Sequence, residues 1–151
     1  MSFRLGMDAK LYYQVDGVAG SAGWVELGNA KDVTLNLEAG EADVSTRANA
    51  GWRATAQTLK EASVEWEMVW NTGDAGFTAI KDAYLQNQVI GLKVLDGPDP
   101  KPVGGVAAQG LKADFMITKF SRNEPLEEAI TVAVTAKIAY SATAPAWYTG
   151  A

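Results

Sequence analysis

From Ile130 to Tyr140 the chain alternates without a break. Ile130, Val132, Val134, Ala136, Ile138 and Tyr140 fall on one side; Thr131, Ala133, Thr135, Lys137 and Ala139 fall on the other. Side chains change face at every residue in an extended strand, so a period of two predicts a pleated sheet with one apolar face. The period recurs at 62–70, where Val64, Trp66, Met68 and Trp70 oppose Ser63, Glu65 and Glu67, and at 33–38, where Val33, Leu35 and Leu37 oppose Thr34, Asn36 and Glu38. Leu11–Val15, Val89–Leu95 and Leu111–Phe120 are further strand candidates, filled with the β-branched and aromatic residues that a half-buried pleat favours.

One window has a different period. Phe77, Ile80 and Tyr84, with Ala83 beside them, form an apolar stripe at helical spacing, and Asp74 stands where an N-cap belongs. A helix over 74–87 is roughly 21 Å long, enough to cover one face of a small sheet. The expected fold is therefore mainly β, a β-sandwich or barrel of about six to eight strands with one flanking α-helix. A length of 151 residues suits a single domain, spanning 1–151. Two segments fit neither period. Residues 96–110, with Gly97, Pro98, Pro100, Pro102, Gly104 and Gly105, read as a breaker-rich loop. Residues 39–60 read as a long inter-strand loop, an unusual length that marks either disorder or function. That loop holds Arg47, Trp52 and Arg53, residue types that interfaces favour.

Chemistry is restricted by two absences. The chain has no cysteine and no histidine, which removes disulfides, thiolate nucleophiles, imidazole metal ligands and the Ser-His-Asp triad. Glu65 and Glu67 share a strand face about 7 Å apart, a spacing compatible with an inverting glycosidase pair. The solvated face of a strand is the simpler explanation. Asp96-Gly97-Pro98-Asp99-Pro100 lacks the oxygen spacing and closing Glu of a calcium loop and reads as a turn. The Gly17–Gly23 run has no GK[ST] and opens no helix, so it is no phosphate cradle. Trp66 and Trp70 are expected in the core, and Trp24 and Trp147 flank loops. No catalytic, metal or cofactor site emerges, and the expectation is a protein that is not an enzyme and needs no cofactor. The start, Met1 to Gly6, has neither the basic nor the apolar region of a secretory signal. No run approaches the ~18 apolar residues of a membrane helix, so the chain is expected to be soluble, made in a cytoplasm and without a membrane partner.

The order of parts resembles a known family. A Thr34-Leu35-Asn36-Leu37-Glu38-Ala39 strand is followed by Glu41-Ala42-Asp43-Val44-Ser45-Thr46-Arg47, by Gly51-Trp52-Arg53, and by a Ser63-Val64-Glu65-Trp66 strand. A short helix, the 89–95 strand, Leu111 to Phe120, a Glu124-Pro125 turn and a Thr131-Val132-Ala133-Val134-Thr135 strand complete the pattern. Over about residues 8–141 the chain resembles the tail tube (major tail) proteins of long-tailed bacteriophages and tail-like gene transfer particles.

The resemblance implies a virion structural protein whose copies form hexameric rings stacked into a hollow tube for DNA ejection. Its partners would be further copies of itself and the tape-measure, tail terminator and initiator proteins. Assembly would take place in the host bacterial cytoplasm, and the product would be the virion tail. Residues 39–60 would be the loop that contacts a neighbouring subunit or ring, with Glu41, Asp43, Arg47, Trp52 and Arg53 as contacts. Glu38, Glu65 and Glu67 would lie at the lumen. The charge of −5 is concentrated in residues 1–70, with 10 acids against 6 bases, and an acidic lining lets DNA pass without the counterion release that holds it to basic surfaces. Two alternatives stand beside this: a tube subunit of a contractile injection or type VI secretion system, and a monomeric β-barrel carrier of a small apolar ligand.

Overall fold

The computed structural model describes residues 3–150, so Met1 and Ser2 of the chain start, and Ala151, lie outside the described residues. Eight strands and one α-helix follow in the order β1 (Lys10–Gln14), β2 (Val25–Glu26), β3 (Ala30–Asp43), β4 (Thr55–Val69), α1 (Ala75–Leu85), β5 (Val89–Leu95), β6 (Gln109–Asn123), β7 (Thr131–Ile138) and β8 (Ala146–Thr149). All pairings are antiparallel, in the order β2-β1-β5-β6-β7-β4-β3, with β8 on β6. The mainly-β fold with a flanking helix is as expected. Its strands form one open sheet, not a barrel closed by hydrogen bonds.

β6 is the strand that joins two arms. Its first half pairs with β5 through Met116, and its second half pairs with β7 from Phe115 to Asn123. An irregularity between Ile117 and Lys119 marks the change, as bulges do where a strand bends. Both arms feed one core. Leu11 and Tyr13 of β1, Ile90 and Leu92 of β5, and Phe115 of β6 join Val64, Trp66 and Met68 of β4 and Val132 and Val134 of β7. Most of the period-two residues of the sequence are thus buried, including Trp66 at 2% exposure, whereas Val33, Leu37 and Tyr140 are exposed.

The helix packs on this core through Phe77, Ile80 and Ala83. Phe77 meets Trp70 edge-on at 4.9 Å, and Tyr84 stacks on Phe120 at 6.1 Å. The Asp74 carboxylate caps the helix by accepting from the Phe77 N–H at 2.9 Å. At the other end Asn87 takes a left-handed φ of 55°, and the Gln88 N–H donates to the Ala83 carbonyl. That is the Schellman closure, which satisfies a carbonyl the helix would otherwise leave open.

Residues 39–60 correct an expectation. Half of them are strand: β3 runs on to Asp43 and β4 begins at Thr55, so 44–54 alone lie outside the ladder. Alternation fails here for two physical reasons. No residue from 36 to 61 is buried, so neither face is selected to be apolar. The register also slips between Ala39 and Glu41, which breaks the phase of whatever pattern remains.

Candidate assembly surface

The β3–β4 hairpin ends in a tip held by its own hydrogen bonds. The Val44 N–H donates to the Ala54 carbonyl at 3.0 Å, and the Ala54 N–H donates to Ser45 Oγ at 2.7 Å. Asp43 Oδ1 accepts from the Ser45 N–H at 2.9 Å. The hydrogen bonds from Ser45 hold this exposed carboxyl below the usual carboxylate range. A single 3-10 turn, Arg47–Asn49, follows. Ala50 and Gly51 then adopt left-handed φ values of 52° and 83° to reverse the chain. Asn49 fastens the turn, accepting from the Trp52 N–H and donating through Nδ2 to the Trp52 carbonyl at 2.9 Å.

This turn presents the Trp52 ring to solvent at 77% exposure. Arg47 and Arg53, on either side of it, are exposed, and neither joins an ion pair among the described residues. Glu41, at the bulge, pairs with Gln57 in the ladder, and Asp43 pairs with Thr55. Of the five contact residues expected, Arg47, Trp52 and Arg53 are therefore gathered at the tip, while Glu41 and Asp43 belong to the strand that carries it.

Glu38, Glu65 and Glu67 share the sheet face turned away from the core. On β4, Glu65 and Glu67 alternate with the buried Val64, Trp66 and Met68. Glu65 sits between Thr34 of β3 and Thr135 of β7, and Glu67 between Lys31 and Ala133. Glu38 lies directly opposite Glu61, which sequence reasoning passed over because it fell in the stretch read as loop. The same face carries Lys137, opposite Ser63, and Lys119, opposite Thr135. The acids of this face thus lie on β3 and β4, with Lys31 of β3 beside Glu67, and β6 and β7 add the bases Lys119 and Lys137.

A second cluster went unnoticed in the sequence. Lys93 of β5 is buried, with its ammonium 4.5 Å from the Trp24 ring centre, 4.3 Å from that of Tyr148 and 3.4 Å from Asp99 Oδ2. Burial pulls the Lys93 pKa down, and the Asp99 carboxylate offsets that only in part. The Tyr148 hydroxyl donates to Asp99 Oδ2 at 2.7 Å, and this bond, with burial added, pushes its pKa up to about 12. Nearby, Asp114 accepts from the Val18 N–H at 2.7 Å and from the Ser141 hydroxyl. Gly91, its ladder partner, lies so close beneath Gly17 and Val18 that a Cβ would come 2.9 Å from their backbone. These contacts fasten β8 and the 15–24 loop to the outer arm. No sequence motif announces them, because the partners are brought together only by the sheet.

Comparison with known proteins gives consistent results. The model of a family described as phage tail tube protein matches residues 9–142. No curated protein matches the sequence. Among solved structures, the tail of an empty gene transfer agent particle refined with C6 symmetry superposes with a TM-score of 0.70 at 18% identity, covering 99% of this chain and 100% of that one. The SPP1 tail tube gives 0.68 at 19% identity, covering 90% of this chain and 76% of that one. The six-fold symmetrised baseplate of the anti-feeding prophage gives 0.55 at 6% identity, covering 97% and 94%.

Proposed function

The chain belongs to the phage tail tube protein family, and from that premise we propose that six copies close into a ring, that rings stack into a hollow tube, and that DNA leaves the particle through it. The observation that carries this reading is the arm made by the second half of β6 with β7, β4 and β3. Residues 117–123 of β6 have β7 on one side and no strand on the other among the described residues, and β3 is likewise unpaired on its outer side. Four alternating strands leave the two free edges running in opposite directions. Copies related by rotation about a common axis therefore meet β3 to β6 antiparallel, a head-to-tail contact that closes into a ring. Ring closure also removes two free edges, which are a hazard for an isolated chain.

On this reading the face holding Glu38, Glu65 and Glu67 lines the channel, and the 44–54 tip makes the contacts between copies. The chain acts as a single tail tube-like domain, works by assembly without catalysis or cofactor, and meets tape-measure, terminator and initiator proteins at the tube ends. It assembles in the host cytoplasm and ends in the particle's tail. Electron microscopy of the concentrated protein tests this. Rings or tubes with an open centre are expected. A protein that stays monomeric at high concentration, with its β3 and β6 edge amides protected from exchange, overturns it.

A further inference from the structure

We propose that the C-terminal end of α1 in one copy, through Tyr84 and Leu85, covers the apolar edge row Val33, Leu35 and Leu37 on β3 of the next copy. The inference rests on the tube reading and adds a helix to a joint that the reading builds from strands alone. Helix α1 ends at Leu85, and β5 begins at Val89 opposite Met116. Residues 117–123 of β6, which have no strand on that side among the described residues, start there. Tyr84 stacks on Phe120 of this free half at 6.1 Å. The helix end therefore stands over the free edge of β6 on the core side of the sheet, and both Tyr84 and Leu85 are exposed, Leu85 at 66%.

The opposite edge of the same arm offers the matching row. Leu35 lies opposite the buried Val64 and Leu37 opposite Ala62, which places both on the core side of the sheet. Val33 shares that side, lining with Leu35, Leu11 and Val94 a cleft of about 560 Å³ that opens beside β3. Val33 and Leu37 are nevertheless exposed, Leu37 at 55%. Scattered exposed apolar side chains are ordinary, but these two groups lie on one side of the sheet, at its two free edges. When β3 of one copy pairs with β6 of the next, side chains on the same face of adjoining strands become neighbours. The β3 row then lies beside Phe120 and beneath Tyr84 and Leu85. Within one chain the two edges are three strand spacings apart, roughly 14 Å, so the helix end meets the row of a second copy. The channel side of the joint has no apolar counterpart, since it carries Thr34, Asn36 and Glu38 on β3 and Lys119 and Ser121 on β6. Water is thus excluded from the joint on the side away from the channel.

Introduced cysteines test this cleanly, because the chain has none of its own. Leu85→Cys is combined in turn with Val33→Cys, Leu35→Cys and Leu37→Cys, and assembled protein is treated with a short bismaleimide. At least one pair should give a ladder of covalent multimers up to the closed ring on a denaturing gel. Leu85→Cys with Asn36→Cys, on the channel side, should run as single chains. Leu85→Asp should melt like wild type and raise the concentration needed for tube formation roughly tenfold. If wild type forms tubes and none of the three pairs crosslinks, or Asn36→Cys crosslinks as well as they do, or Leu85→Asp assembles like wild type, the helix contact is overturned while the tube reading stands. If wild type forms neither rings nor tubes, both fall.

Discussion

Tyr148 of β8 donates its hydroxyl hydrogen to Asp99 at 2.7 Å, beside the ammonium of Lys93. The phenol is pushed up to about 12, so the folded state holds this proton more tightly than the unfolded chain, in which tyrosine titrates near 10. A raised folded pKa contributes stability that is full below pH 10 and is lost as pH climbs through 10 to 12. Lys93, whose folded pKa is lowered, works in the opposite sense, but only up to its ordinary value of 10.5. Tyr148→Phe should therefore lower stability at neutral pH by ~1 kcal/mol and flatten the loss of stability between pH 10.5 and 12. Denaturant titrations of both proteins across that range read the difference directly.

Asp114 is buried and holds Val18 and Ser141 together. In Asp114→Ala those donors lose a charged acceptor, at a cost of about 3 kcal/mol. The melting temperature should fall by roughly 6–12 °C for a chain of this size. A shift under 2 °C would show that water takes over the role of the carboxylate.

Trp52 separates folding from assembly. Trp52→Ala removes a side chain that is 77% exposed in the single chain, so its unfolding free energy should stay within about 0.5 kcal/mol of wild type. Tube formation should weaken at least tenfold, followed by light scattering against protein concentration. A large loss of monomer stability would place the ring inside the fold instead.

Glu65 and Glu67 test the channel. Tubes of the wild-type chain should retain little duplex DNA. Glu65→Lys with Glu67→Lys should leave the sheet intact, because both side chains lie opposite the buried face, and should make the tubes hold DNA in a manner that weakens steeply with salt. DNA retention unchanged by the substitutions would remove these positions from the lumen.

What the sequence disclosed follows from where water is excluded. Val64, Trp66, Met68, Val132, Val134 and Ala136 are buried by the chain itself, so their alternation was plain. The helix was equally legible, from Asp74 through the Phe77–Ile80 stripe. β2 and β8 escaped because two and four residues are too few to show a period. The distal hairpin escaped because it buries nothing within one copy, and the bulge near Gly40 shifts its phase. Arg47, Trp52 and Arg53 stood out by residue type alone. Glu61 did not, since its significance depends on the ladder that sets it against Glu38.

The hydrogen bonds of the tip have a kinetic consequence. Ordering eleven flexible residues on contact would cost about 1–2 kcal/mol for each backbone fixed, more in sum than one buried indole supplies. Residues 44–54 settle that cost during folding, through Ser45, Asn49 and the left-handed pair Ala50–Gly51. On the proposed reading, encounter between copies is a collision of two finished shapes, and tube growth is expected to be paced by how often they meet in register and not by any refolding of the arm.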